Sequence, residues 1–276
     1  MVSRTVLITG ASSGIGRACV DEFASRGWNV VATMRTPDEH RELERTAQGT
    51  RGEVRVARLD VTDQASIDAA FAFAAESFDQ VDCVVNNAGY GLTGVFEATD
   101  DATIERQFDT NVFGVMRVTR AAITHMRPRR AGTIVNVTSM GGRITFPLYS
   151  VYHASKFAVE GFSESLQYEL DRVGIRVRIV EPGPIATDFY GRSMDQPDAT
   201  PPDGYAWAAS AHDGMTANGS SGASPELVAR LIVRAAQSRG GRLRWSTRGT
   251  ARALLLLNRV LPGRTFRSLI RVSTMR

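Results

Sequence analysis

Short apolar runs recur along the chain, separated by longer stretches whose apolar positions return every third or fourth residue. The runs lie at 4–9, 29–34, 54–59, 81–86, 133–138 and 175–180, with another at 243–246. Such runs predict strands buried on both faces, because a strand with one wet face alternates instead. After the first run, Ile15, Cys19 and Phe23 repeat at the spacing of one helical face until Gly27 ends the helix. Similar patterns predict helices over 38–48, 63–78, 101–126, 150–172 and 225–238. Strands and helices in alternation make a doubly wound α/β fold, a parallel sheet with helices on both faces.

Two segments depart from this rhythm. Residues 188–224 are rich in Gly, Pro, Ser, Asp and Ala, yet carry Phe189, Tyr190, Tyr205 and Trp207. A long irregular segment with aromatics reads as a lid over an apolar ligand, with a disordered excursion as the alternative. Residues 249–276 hold Leu254 to Leu257, Val260, Leu261, Phe266, Leu269 and Ile270, broken at Pro262-Gly263, with Arg264, Arg267 and Arg271 at helical spacing beside them. This basic amphipathic tail is expected to cover an apolar surface, at the substrate entrance or on another subunit. Peripheral contact with an anionic membrane is the less favoured reading. The chain thus divides into a domain at 1–248, with the lid inserted, and the tail.

Charge sharpens this division. The net charge is +4, but 12 arginines and no acid follow Glu226, so residues 1–226 carry 21 basic against 29 acidic groups, a balance of −8. That excludes a nucleic-acid-binding core and leaves a local cationic end. Cys19 and Cys83 form no redox or metal spacing, and His40, His125, His153 and His212 have no ligand-like arrangement. The first strand pattern starts directly at the N-terminus and no apolar run approaches the roughly 20 residues of a membrane span, so a cytoplasmic location is expected.

Three stretches carry chemistry. Thr9-Gly10-Ala11-Ser12-Ser13-Gly14-Ile15-Gly16 joins the first strand to its helix, where glycines let backbone amides approach a pyrophosphate at the helix's positive end. The second strand ends in Arg35, where an acid would hold the ribose hydroxyls of NAD; arginine instead suits the 2′-phosphate of NADP, so NADP(H) is the preferred cofactor and NAD(H) the alternative. Last, the sequence has 32 arginines and one lysine, Lys156, four residues after Tyr152. On a helix the two are neighbours, and an ammonium beside a phenol lowers its pKa from about 10 toward a useful range.

With these residues in view, the chain resembles the short-chain dehydrogenase/reductase family over about its first 190 residues, and looks most like the hydroxysteroid and retinol dehydrogenase-like members. The resemblance rests on the glycine loop, Leu59-Asp60-Val61, Asn86-Asn87-Ala88-Gly89, the set Asn111, Ser139, Tyr152 and Lys156, and Glu181-Pro182-Gly183-Pro184-Ile185-Ala186-Thr187. It implies a Rossmann-type fold and a catalytic tetrad in which Tyr152 exchanges the proton, Ser139 hydrogen-bonds the reacting oxygen, Lys156 grips the nicotinamide ribose and Asn111 holds a relay water. It also implies cofactor contacts from Gly10, Ser12, Ser13, Gly14, Ile15, Gly16, Arg35, Asp60, Val61, Asn87, Ala88, Gly89, Tyr152, Lys156, Pro182, Gly183, Ile185 and Thr187. The substrate wall falls at Tyr90, Ile144, Tyr149, Phe189 and Tyr190, with Leu92, Phe146 and Leu148 nearby. An apolar ketone or secondary alcohol follows, against a small or polar one, and the chemistry calls for no metal. A homodimer or homotetramer through the helices at 101–126 and 150–172 is implied. A catalytically silent dinucleotide sensor is the alternative function.

Overall fold

The computed structural model describes residues 3–45, 49, 52–186, 193–196, 202–220 and 222–274. Its strands are β1 (Thr5–Thr9), β2 (Asn29–Met34), β3 (Val54–Arg58), β4 (Cys83–Asn86), β5 (Gly91–Leu92), β6 (Gly132–Val137), β7 (Ile175–Glu181), β8 (Met194–Asp195) and β9 (Arg244–Ser246). The helices are α1 (Gly14–Ser25), α2 (Gln64–Phe78), α3 (Asp101–Phe108), α4 (Val115–Met126), α5 (Ser150–Asp171), α6 (Trp207–Ser220), α7 (Pro225–Gln237), α8 (Thr250–Val260) and α9 (Gly263–Thr274). Among the described residues, seven strands form one parallel sheet in the order β3-β2-β1-β4-β6-β7-β9, the Rossmann-type arrangement that the alternation predicts. Strand order reverses between β1 and β4. In open α/β sheets ligands bind beyond the strand ends at such a point.

Adjacent residues of β1 show how the sheet holds two layers. Val6 and Ile8 join Phe23 of α1 and Ile232 of α7 in one fully buried cluster. Leu7, between them, joins Ile67 of α2, Val118 of α4 and Leu166 of α5 in the other. Side chains alternate across a strand, so a strand covered on both faces is apolar at every position.

The predicted helix over 38–48 is instead a run of 3₁₀ turns at Pro37–Arg45, with residues 46–48 outside the described set. Leu43 is its one buried residue among charged neighbours, and a single anchor gives no continuous apolar face to dock an α-helix. The helix over 101–126 also changes form, running as α3 and α4 with a π-helical turn at Asp109–Gly114 between them. That turn buries Asn111, Val112 and Gly114 together.

Within 188–224, β8 pairs with β5 through Gly91↔Met194 and Leu92↔Asp195, and the Tyr205 hydroxyl donates to Glu97 Oε2 at 3.1 Å. These contacts tie the segment to the loop after β4. Phe189 and Tyr190 lie outside the described residues. At the C-terminus, Leu255, Phe266 and Ile270 pack on Ile144, with Met140 and Phe146 alongside, and Asn258 Nδ2 donates to Arg143 O at 3.4 Å. The inner face of α8 and α9 therefore covers the chain's own segment after Ser139. No described helix is long and apolar enough to cross a membrane.

Phe23 is fully buried and meets the Trp28 ring edge-on at 5.2 Å between centroids. Phe23→Ala should destabilise the fold by about 3–5 kcal/mol, the usual cost of a large buried aromatic with its cavity. Urea denaturation followed by circular dichroism measures this, and a loss below about 1 kcal/mol would contradict a tightly packed α1 layer.

Candidate active site

The ends of β1 and β4 are stitched together at the reversal point. Thr9 Oγ1 accepts the N–H groups of Asn87 and Ala88, both at 3.0 Å, and donates to Val85 O at 3.3 Å. In return, Asn87 Nδ2 donates to Thr9 O and Gly10 O, each at 3.1 Å. Gly10 has φ +66°, and a Cβ there would lie 2.9 Å from Ala88 Cα; one on Gly16 would collide with Gly10 O. Only glycine lets the loop fold this closely. The result points the first turn of α1 into the open space beyond the strands. Ser13 stands at the N-cap but makes no side-chain capping bond, and the first turn holds no acid. The positive helix end is left uncompensated by the protein, as an anion site requires.

Other positions predicted for the cofactor lie around this loop. Asp60 Oδ1 accepts both the N–H and the hydroxyl of Thr62, at 3.0 and 2.8 Å, while the Asp60 N–H donates to Ser66 Oγ at 3.0 Å. Its carboxylate is held in one orientation. Val61 is buried against Gly114 of the π turn. Arg35 is exposed at the end of β2, beside a hollow of about 700 Å³ that Arg41 and Arg58 also line. Arg41 pairs with Asp38 and Glu44, and Arg58 with Asp63; Arg35 makes no ion pair among the described residues. On the far side, Pro182 O accepts the Met140 N–H at 2.8 Å, Gly183 N–H donates to Thr247 Oγ1 at 3.0 Å, and Ile185 bridges to Ala223. Thr187 lies outside the described residues.

The residues expected to handle the proton lie on and around α5. Tyr152 and Lys156 project from adjacent turns of α5, both buried, with Lys156 Nζ 5.7 Å from the Tyr152 ring centroid. The ammonium donates to Val137 O at 3.3 Å, at the end of β6. Burial pushes the Lys156 pKa down to about 8, opposed by the charge of Glu160 one turn further on. Asn111 Oδ1 accepts the Tyr90 N–H at 3.1 Å, and its Nδ2 donates to Tyr90 O at 2.9 Å and to Ser155 Oγ at 3.3 Å. A Cβ on Gly89 would fall 2.9 Å from Asn111 Oδ1 and 3.9 Å from Lys156 Nζ, so these three residues crowd one point. Ser139 follows β6, and its Oγ accepts the Gly141 N–H at 3.0 Å, which leaves its own proton available to donate.

Two features escape the sequence reading. His153 Nε2 accepts the Phe146 N–H at 3.0 Å, so its proton sits on Nδ1 and is donated to Gly141 O at 2.8 Å. Burial pushes its pKa down to about 4, and the neutral ring fastens the segment after Ser139 to the helix of Tyr152. Tyr149, also buried, packs its ring 6.2 Å from Tyr152 and 5.8 Å from His153. The second feature is an ionic network under Lys156. Glu160 accepts from Thr138 Oγ1 at 2.7 Å and from Arg244 Nε at 3.0 Å, Arg244 also meets Glu164 at 2.8 Å and Glu181 at 3.6 Å, and Arg143 meets Glu181 at 3.5 Å. Burial, then the neighbouring Glu160 charge, pushes Glu181 up to about 7 against the two arginines. The i,i+4 spacing of Lys156 and Glu160 is the one sequence signal for this network; nothing marks Arg143 or Arg244 among the other arginines. Among the described residues no group of three His, Cys, Asp or Glu side chains gathers as a metal site.

A family model described as short chain dehydrogenase matches residues 4–198. Retinol dehydrogenase 8 of Bos taurus is 42% identical over 197 residues, 70% of this chain and 62% of that protein, so the chain spans less than two thirds of that relative's length. The crystal structure of a short-chain dehydrogenase from Streptomyces avermitilis is 34% identical with a TM-score of 0.82, covering 98% of this chain and 97% of that one. A short-chain dehydrogenase/reductase from Burkholderia phymatum in complex with NAD is 26% identical with a TM-score of 0.81, over 94% of this chain and 93% of that one.

The buried Lys156 makes a prediction about stability. Its folded pKa of about 8 lies below the unfolded value near 10.4, so the unfavourable charge is fully present below pH 8 and is relieved as pH rises between the two. Lys156→Met should therefore abolish activity yet stabilise the cofactor-free protein at pH 7, by on the order of 1–3 kcal/mol, with the gain fading toward pH 10. Thermal melts across pH test this; a variant less stable than the parent at pH 7 would contradict it.

Proposed function

The chain belongs to the short-chain dehydrogenase family and is an oxidoreductase; from that premise we propose that it transfers a hydride between NADP(H) and a ketone or secondary alcohol of apolar character. The observation that carries the reading is the convergence of Gly89, Asn111 and Lys156 at one point beside Tyr152, below a glycine loop whose helix end lacks a counter-charge.

The residues present fit a dinucleotide. Ser12, Ser13, Gly14, Ile15 and Gly16 would hold its pyrophosphate at the N-terminus of α1, Asp60 and Val61 its adenine, and Asn87, Ala88 and Gly89 the adenosine side. Pro182, Gly183, Ile185 and Thr187 would hold the nicotinamide end. Arg35, exposed and without an ion pair among the described residues, would take the 2′-phosphate, the reason NADP(H) is preferred over NAD(H). When bound, the cofactor supplies or accepts the hydride.

The chain's own side chains then manage a proton and a developing charge. In the reducing direction, Tyr152 gives its proton to the carbonyl oxygen as negative charge grows there, and Ser139 donates a second hydrogen bond to the same atom. Lys156 stabilises the phenolate left behind, because a cation in a buried site acts through a low dielectric. Asn111 holds Tyr90 and the Gly89 strip beside Lys156 through both ends of its side-chain amide, and the second lone pair of its Oδ1 would hold the relay water. Tyr90 and Tyr149 would form part of an aromatic substrate wall, with Phe189 and Tyr190 on a lid at 188–224. Ile144 would support that wall from beneath the tail.

Tyr152→Phe should cut turnover at least about 100-fold while dinucleotide affinity stays within about twofold of the parent, the pattern expected when a general acid alone is removed. Normal turnover of carbonyl substrates by this variant would refute the mechanism. For the cofactor, titration of protein fluorescence should give tighter binding of NADPH than NADH, and Arg35→Ala should weaken NADPH about tenfold with little effect on NADH. Tighter NADH binding that is indifferent to Arg35→Ala would assign NAD(H) instead.

A further inference from the structure

The two C-terminal helices have apolar side chains on two sides, and among the described residues the inner side is covered while several on the other are exposed. Inward, Leu255, Phe266 and Ile270 pack on Ile144. Outward, Leu256 is 59% exposed, Leu257 36%, Val260 64% and Leu269 43%. At roughly 100° of turn per residue, Leu256, Leu257 and Val260 fall on one stripe of α8, with Arg252 and Arg259 along its edge. By the same geometry Arg264, Arg267 and Arg271 share one flank of α9. None of these five arginines forms an ion pair among the described residues, and the chain carries no acid after Glu226.

Charge complementarity selects the occupant of this face. A second copy meeting it through the same face would bring like cations into contact. A neutral apolar protein surface would bury the leucines and leave the arginines without a counter-charge. A nucleic acid would use the arginines and leave the leucines in water. An anionic lipid surface uses both, the apolar stripe entering the acyl boundary while the guanidinium groups stay at the phosphates. We propose that the outward face of α8 and α9 docks on an anionic lipid bilayer. The inner face of the same helices rests on Met140, Ile144 and Phe146, so docking would set the segment after Ser139 close to the membrane. The inference is independent of the reading of the reaction, because it is tested by binding.

Co-sedimentation of the whole protein with phosphatidylcholine vesicles, with and without about 30% phosphatidylserine, tests it at about 50 and 500 mM NaCl, since the charged contribution is screened within a Debye length. Binding to the serine-containing vesicles at low salt, at least about tenfold weaker on pure phosphatidylcholine or in high salt, is expected. The pairs Leu256→Gln with Val260→Gln, and Arg259→Gln with Arg264→Gln, should each weaken binding about tenfold. Both pairs alter exposed side chains, so circular dichroism and the thermal midpoint should match the parent and separate lost docking from lost folding. No binding to the anionic vesicles, equal binding to both vesicle types, or unchanged binding by both pairs would overturn the proposal. So would light scattering in which the Leu256, Val260 pair dissociates a dimer, which would give the face to a second copy. Competition by free inorganic phosphate at millimolar concentration would also overturn it, by reducing the site to an anion site without a membrane.

Discussion

The ammonium of Lys156 sits where water does not reach it well, and the structure around it answers that constraint. A buried cation costs free energy unless something nearby favours its charge. Val137 O supplies one hydrogen bond, and the Glu160 carboxylate supplies the favourable field. Glu160 is itself buried, so it needs partners in turn: Thr138, with Arg244 reaching in from β9. Arg244 also leans on Glu181, whose other partner is Arg143 from the segment before Tyr149. Charges therefore alternate outward from the phenol through α5, the ends of β7 and β9, and the segment after Ser139. One buried ammonium beside Tyr152 is thus linked to four parts of the chain that are distant in sequence.

The stitch at Thr9 and Asn87 has a related effect on the cofactor side. Because a side chain from each strand end bonds the other's backbone, β1 and β4 cannot drift apart at the reversal point, and the glycine loop is pressed against Ala88. The same β4 extension carries Gly89 and Tyr90 to Asn111 and Lys156. The glycine loop and the cluster of Asn111 and Lys156 are consequently two ends of one strip. Their relative position is set by hydrogen bonds between short, buried or half-buried side chains and the backbone.

Much of this was legible in the sequence, and the unevenness has physical causes. The strands of the sheet appeared within a residue or two because both faces are covered, which leaves an unbroken apolar run with sharp ends. The charged segment at 37–45 misled because its polar residues suit a helix surface, while its single buried Leu43 cannot hold an α-helix down. The π turn at Asp109–Gly114 left no trace, since one extra residue per turn hardly disturbs a pattern read over 26 positions. Asn111 was found through its place in a motif; the clamp it forms on Tyr90 was not. The Arg244 network was invisible for another reason. A composition with 32 arginines gives no contrast by which to see the one that joins two buried carboxylates.

That same composition explains the single lysine. Over most of the surface an arginine does what a lysine would, and at Arg244 its planar fork does more, reaching Glu160, Glu164 and Glu181 together. At position 156 the demands are reversed. Lys156 Nζ donates to Val137 O at 3.3 Å, and Gly89 and Asn111 stand close by, a setting that suits the compact ammonium better than a broad planar guanidinium. The protonation state matters as well. Burial lowers the Lys156 pKa to about 8, whereas an arginine remains charged under all conditions. The chain's one lysine thus stands where a buried, titratable cation meets Val137 O and the Glu160 carboxylate.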